Sequence, residues 1–181
     1  MTKKPNIIIA GGGTGGHLFP ALAIGEQLMK KRPEAQVFYI GSKFGIEARL
    51  LPKKEPAYAL LPIRGLQRGL SAQALARNFA LPFRLFRSYY LAKKIFNRIN
   101  PQVIVGTGGY ASAIPLKLAV RNNIPILLQE QNSYPGLTTR MFADKADRIC
   151  VAFSDAYKYL KKKTLNSPVI QSGPKFRTAI V

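Results

Sequence analysis

The chain predicts an α/β domain built on a doubly wound parallel sheet, and three features of the sequence predict it. Short apolar or β-branched runs alternate with stretches of helical apolar spacing from Asn6 to Gln171; that order sets a crossover helix between successive parallel strands. Two glycine clusters, Gly11 to Gly16 and Gly106 to Gly109, each end an apolar run and precede a helix, the arrangement found where such sheets bind ligands. At 181 residues, 47% of them hydrophobic, the chain suits one domain with its own core.

Taken in order, Ile7 to Ala10 forms the first strand, and Leu18 onward carries apolar residues at helical spacing. Ala35 to Ile40 is the second strand, Gly45 to Leu51 a short helix and Ala57 to Pro62 the third strand. Ser71 is placed to cap a long helical stretch reaching about Asn100, with Pro82 as a kink or break. Val103 to Val105 is the fourth strand, and Ala113 to Arg121 its helix. Ile126 to Leu128 is the fifth, ending in Gln129-Glu130-Gln131-Asn132, with a helix over Gly136 to Phe142. Arg148 to Ala152 and Val169 to Gln171 are two further strands flanking a helix at Asp155 to Lys161. No repeat, low-complexity tract or linker interrupts residues 1–181, which read as one domain.

Lys and Arg total 28 against 8 Asp and Glu, a net charge of +20, so the expected partners are polyanions or an anionic membrane surface. The single cysteine, Cys150, sits in the apolar run Arg148-Ile-Cys-Val-Ala152 and reads as a buried strand residue. One cysteine excludes an intrachain disulfide and a cysteine metal site, which fits a reducing compartment. The start, MTKKP, leads directly into the first strand with no apolar run of signal-peptide or membrane-span length. The expected location is the cytosol, or a membrane approached from the cytosolic side.

Between the first strand and its helix stand five glycines in six positions, Gly11, Gly12, Gly13, Gly15 and Gly16. A strand that stops in glycines and restarts as a helix gathers backbone N–H groups and the positive helix end at one spot, which suits a phosphate. A turn needed only for close approach of backbone is the alternative. Gly11, Gly13 and Gly16 match G-x-G-x-x-G, but a nicotinamide dinucleotide also needs an acid closing the second strand, which here ends Tyr39-Ile-Gly-Ser-Lys43. A nucleoside triphosphate loop needs Lys and then Ser or Thr after its last glycine; His17 and Leu18 stand there. The second cluster, Gly106, Gly108 and Gly109, offers another cradle or another tight turn.

His17 is the only histidine and lies at the start of the first helix, where a neutral imidazole can serve as a base or cap the helix. Glu130 is the only acid between Pro56 and Ala143 and is expected just past the fifth strand. It can take a proton, hold sugar hydroxyls or neutralise an arginine, with Asn132 beside it as a neutral contact. From Pro56 to Gln129 there are ten basic residues and no acid. Within Leu70 to Phe96, Arg77, Arg84, Arg87, Lys93 and Lys94 interleave with Phe79, Phe83, Phe86, Tyr89 and Tyr90, a pattern suited to an interfacial membrane contact. Nucleic acid would suit the charge equally, but no recognition helix, zinc or RNA motif is present.

The stretches GGGTGGHLFPALAI, GTGGYASAIP and QEQN, in this order, resemble the amino-terminal half of the MurG family. These are the peripheral-membrane glycosyltransferases that add N-acetylglucosamine to lipid I, making lipid II, in bacterial cell-wall synthesis. The resemblance implies a Rossmann-like half of a GT-B glycosyltransferase, with the donor domain outside residues 1–181. It implies UDP-N-acetylglucosamine as donor, lipid I as acceptor, no cofactor, no metal and an inverting attack by the acceptor's 4-hydroxyl. A membrane-anchoring subunit of a split glycosyltransferase is the alternative. By resemblance, Gly12, Gly13, Gly108, Gly109, Tyr110 and Ser112 receive the acceptor diphosphate, while Thr14, Gly15, Gly16, Asn132 and Arg177 reach the donor. His17 and Glu130 are then the catalytic candidates, and Phe79, Phe83, Arg84, Phe86 and Arg87 the membrane contacts. Two departures stand out: Gln129 replaces the family's usual histidine, and Ser172-Gly-Pro-Lys-Phe-Arg177 stands where the family has Gly-Asn-Pro-x-Arg.

Overall fold

The computed structural model describes residues 4–55, 57–65, 79 and 81–160, and the backbone of Val169–Gln171. Its strands are β1 (Asn6–Gly11), β2 (Gln36–Ser42), β3 (Tyr58–Leu61), β4 (Val103–Gly108), β5 (Ile126–Glu130), β6 (Arg148–Val151) and β7 (Val169–Gln171). All pair in parallel in the order β3-β2-β1-β4-β5-β6-β7. The helices are α1 (Gly15–Lys31), α2 (Glu47–Lys54), α3 (Leu81–Ile99), α4 (Ala113–Arg121), α5 (Leu137–Phe142) and α6 (Tyr157–Leu160).

The two-residue period of β1 sorts its side chains onto the two faces. Ile7 and Ile9 join Val37, Tyr39, Val105, Leu18 and Ala21 on the α1 side, with Leu51 of α2. Ile8 and Ala10 join Phe38, Ile40 and Ile104, closed over by Ala92 and Phe96 of α3 and Leu116 of α4. A central strand buried on both faces must be a continuous apolar run, which is why Asn6–Gly11 lacks a polar alternation.

Several boundaries move from those expected. β4 continues through Gly106, Thr107 and Gly108, and β5 through Gln129 and Glu130; Glu130 therefore ends the strand rather than following it. The short helix after β2 starts later, at Glu47, and runs to Lys54. Asp155 belongs to a 3-10 turn, Ser154–Ala156, which precedes α6. Ser71 and Arg77 lie outside the described residues, and α3 is described from Leu81 with Pro82 in the first turn of that segment.

Along α3, Ser88, Ala92 and Phe96 are buried at four-residue intervals, with Leu85, Tyr89, Leu91, Ile95 and Ile99 beside them. The opposite stripe is exposed: Phe83, Phe86, Arg87, Tyr90, Lys93, Lys94 and Asn97. Its first half is aromatic and its second half basic.

Candidate functional site

β1 and β4 are adjacent, and their connections leave toward opposite edges of the sheet, so the carboxyl ends of these strands open a crevice at the switch point. Both glycine clusters lie there. Gly12 and Gly13 have φ of 147° and 93°, and Gly108 and Gly109 have φ of 94° and 75°, backbone that other residues adopt only under strain. A Cβ on Gly109 would run into the carbonyl oxygen of Gly12; the two loops touch backbone to backbone. Gly11 and Gly106 serve close contact instead: a Cβ would meet Thr107 Oγ1 at Gly11, and Leu116 and Leu128 at 3.0 Å at Gly106.

At the start of α1 the situation differs. A Cβ on Gly16 would meet nothing nearer than Thr14 Oγ1 at 3.7 Å. Thr14 is exposed, and its side chain makes no cap hydrogen bond. The N–H groups of His17 and Leu18 both donate to Thr14 O at 3.2 Å, whereas those of Gly15 and Gly16 find no partner among the described residues. No acid stands in the first turn. This is a helix end with free donors, positive potential and room for an anion.

His17 is half-buried between the two loops. Thr107 grips it twice: its Oγ1 donates to His17 O at 2.8 Å, and its carbonyl lies 3.1 Å from Nδ1. Gln131 Nε2 also reaches Nδ1, at 2.6 Å. The two contacts are alternatives set by the tautomer: a protonated Nδ1 donates to Thr107 O, an unprotonated one accepts from Gln131, and Nε2 has no partner among the described residues. Thr107 and Gln131 were not singled out from sequence; a polar residue inside a glycine cluster and the third residue of QEQN were the available signals.

Two expected site residues, the acceptor contact Ser112 and the catalytic candidate Glu130, are buried. Ser112 is fully buried, and its hydroxyl donates to Gly109 O at 2.9 Å, beside Thr138 Oγ1 at 3.1 Å; it shapes the second loop from behind. Glu130 is 1% exposed. Its Oε1 accepts the backbone N–H and Nδ2 of Asn132 at 3.0 and 2.9 Å, and Oε2 accepts the N–H of Gly136 at 3.0 Å. Three donors of its own loop occupy the carboxylate, two of them from exposed Asn132. Tyr110 is half-buried, with its ring 2.6 Å from where a Cβ of Gly13 would lie. Arg177 lies outside the described residues.

Glu47 is the residue that sequence reading missed. The acid sought at the end of β2 is absent there, but the first residue of α2 folds back into that place. It is fully buried. Its Oε1 accepts the N–H of Ser42 at 2.9 Å, and both oxygens lie 2.9 Å from the N–H of Gly13.

Among the described residues no group of three or more His, Cys, Asp and Glu is placed to hold a metal, and no helix is long and apolar enough to cross a membrane. A groove of about 360 Å³ lies apart from the glycine loops, between Leu60, Leu91 and Ile95, and is bordered by Lys43, Lys94 and Arg98. On the exposed stripe of α3, Phe83 and Phe86 are 68% and 73% exposed, and Phe79 before it is 91% exposed. Arg87 is exposed, while Arg84 is half-buried with its guanidinium 5.4 Å from the Phe44 ring.

A parallel sheet with a switch-point crevice lined by two glycine loops defines a Rossmann-like α/β domain, and residues 7–151 match the glycosyltransferase family 28 N-terminal domain. The chain belongs to that family. It is similar to the amino-terminal half of MurG enzymes. The UDP-N-acetylglucosamine–N-acetylmuramyl-(pentapeptide) pyrophosphoryl-undecaprenol N-acetylglucosamine transferase of Lactococcus lactis is 43% identical over 153 residues, 84% of this chain and 42% of its own length. The transferase of the same name from Phocaeicola vulgatus is 42% identical over 163 residues, 90% of this chain and 42% of its own length. The chain thus spans about two fifths of these relatives. The crystal structure of Acinetobacter baumannii MurG superposes with a TM-score of 0.71 at 26% identity, over 94% of this chain and 46% of that one. A UDP-N-acetylglucosamine 2-epimerase from Rickettsia bellii, at 14% identity and a TM-score of 0.60 over 98% of this chain and 48% of that one, shares the fold.

Proposed function

We propose that this chain is the acceptor-binding half of a glycosyltransferase that moves N-acetylglucosamine from UDP-N-acetylglucosamine to lipid I, forming lipid II. The observation that carries the reading is the unfilled helix end at Gly15 and Gly16, beside touching glycine loops, in a chain 43% identical to a transferase of that name. The acceptor diphosphate lies along these N–H groups and the second loop, where oriented dipoles hold it. Thr14 and Asn132, both exposed at the rim, reach toward the donor; a second domain, outside this chain, brings most of the donor site. The reaction is inverting and needs no metal: the acceptor 4-hydroxyl attacks the anomeric carbon, its proton passes to His17 Nε2, and UDP leaves.

The exposed stripe of α3 docks on the anionic cytoplasmic face of the membrane, which brings the crevice to the level of a lipid-linked diphosphate. Neither the split-subunit alternative nor nucleic-acid binding is favoured by the relatives.

The test is to assay this chain, and a continuous protein that adds a donor domain, with lipid I and UDP-N-acetylglucosamine. The chain alone is expected to bind a polyprenyl diphosphate without turnover, and the longer protein to make lipid II. In the latter, His17→Ala is expected to lower kcat by about 10²- to 10⁴-fold, the usual weight of a general base. Turnover by this chain alone at the rate of the longer protein would falsify the division of labour.

A further inference from the structure

Glycine loops that gather N–H groups around an anion usually wait for a ligand. In this chain one such nest is already filled. The N–H groups of Gly13 and Ser42 converge on the carboxylate of Glu47, each within 2.9 Å. Three glycines give it room: a Cβ on Gly12, on Gly41 or on Gly45 would strike the Glu47 side chain. The carboxylate is fully buried and forms no ion pair among the described residues; within them, backbone N–H dipoles balance it. Such hydrogen bonds to a charged acceptor are about twice as strong as neutral ones.

We infer that Glu47 is a positioning residue: a tethered anion that occupies the nest of the first glycine loop and fixes Gly12 and Gly13 in their positive-φ form against Gly109. A phosphate cannot share the N–H of Gly13 with a buried carboxylate. The ligand is therefore directed to the free N–H groups of Gly15 and Gly16 and to the second loop. Gly12 and Gly13 act by shape, not as donors. The ligand part of this inference rests on the proposed diphosphate site; the nest itself does not.

Removing the tether should leave a hole that a small free carboxylate can fill, which separates an anion nest from ordinary side-chain burial. The experiment compares the 181-residue chain with Glu47→Ala and Glu47→Gln. It follows amide hydrogen exchange at Gly13 and Ser42, and affinity for farnesyl diphosphate, with formate added against chloride at equal ionic strength. In the unsubstituted chain both amides should be protected although Gly13 lies in a loop. Glu47→Ala should speed their exchange and weaken farnesyl diphosphate binding by about ten-fold or more, the scale of one or two lost charged hydrogen bonds, and formate should reverse most of both effects. Glu47→Gln, which keeps the shape, should speed exchange at Gly13 less, and it keeps the test alive if Glu47→Ala fails to fold. Unprotected Gly13 in the unsubstituted chain, or a Glu47→Ala chain that responds to formate no more than to chloride, overturns the inference. Failure of the unsubstituted chain to bind farnesyl diphosphate counts against the proposed acceptor site, while the exchange data still decide the role of Glu47.

Discussion

The carbonyl oxygen of Gly12 sits where a Cβ of Gly109 would have to go. The two glycine loops are thus fitted to each other before any ligand is considered, and Gly109 also has a φ of 75°. Gly109→Ala should therefore lower stability by about 2–4 kcal/mol, combining left-handed backbone strain with the collision. Gly16 is the contrast, because a Cβ there would find open space. Gly16→Ala should leave stability unchanged or raise it by up to about 1 kcal/mol, as expected within a helix, yet obstruct a phosphate at the N–H groups of the first turn. Urea unfolding and polyprenyl diphosphate binding, measured on both variants, check the pair. Equal losses of stability would make both glycines structural.

Glu130 supplies a second test, of a carboxylate that braces rather than reacts. Glu130→Ala would strand the N–H groups of Asn132 and Gly136 with no acceptor, and should destabilise the chain by about 2–4 kcal/mol. Faster amide exchange at Asn132 and Gly136 should accompany the loss. A stable variant with unchanged exchange would return Glu130 to the list of groups facing the crevice.

Much of this was legible beforehand, for physical reasons that also mark the limit. Ile7 to Ala10 is apolar on both faces, and the glycines that close so short a run mark it as a strand buried on both sides. The amphipathic stripe of α3 was visible as interleaved bases and aromatics. Gly106, Gly108 and Gly109, by contrast, look alike in sequence but do different work: Gly106 admits Leu116 and Leu128, while Gly108 and Gly109 turn the backbone. Glu47 was hidden because its position near Gly13 depends on α2 folding back over the end of β2, a tertiary contact that no local spacing encodes. Glu130 differs: its lone charge in a basic stretch was legible, and its three donors lie close by in sequence, on Asn132 and Gly136 of its own loop.

Cys150 gives a test with a definite sign. Burial raises its thiol above the usual range; the folded state therefore favours the neutral thiol, and this contribution is present below the unfolded thiol's pKa and lost as pH rises past it. At pH 8 the folded chain should react with a disulfide reagent at least about ten-fold more slowly than the chain in denaturant, where thiolate forms freely. Comparable rates in the two conditions would show an accessible thiolate in the folded protein.

Phe83 and Phe86 project into solvent beside Arg87, with Lys93 and Lys94 further along the same side. An apolar contact with lipid is insensitive to salt, whereas each Lys or Arg near an anionic surface contributes about 1 kcal/mol that screening removes within a Debye length of about 8–10 Å. Phe83→Ser with Phe86→Ser should therefore weaken flotation with phosphatidylglycerol vesicles at both low and high salt. Arg87→Glu should weaken it mainly at low salt. Arg84→Glu is less clean, because its guanidinium lies 5.4 Å from the Phe44 ring and its reversal also removes that contact; a loss of stability should accompany the loss of binding. Since Phe83, Phe86 and Arg87 are exposed, their variants should unfold at the same urea concentration as the parent chain. Flotation that survives both the aromatic pair and Arg87→Glu would move the membrane face elsewhere on this +20 chain, and the groove bordered by Lys43, Lys94 and Arg98 would be the next surface to reverse.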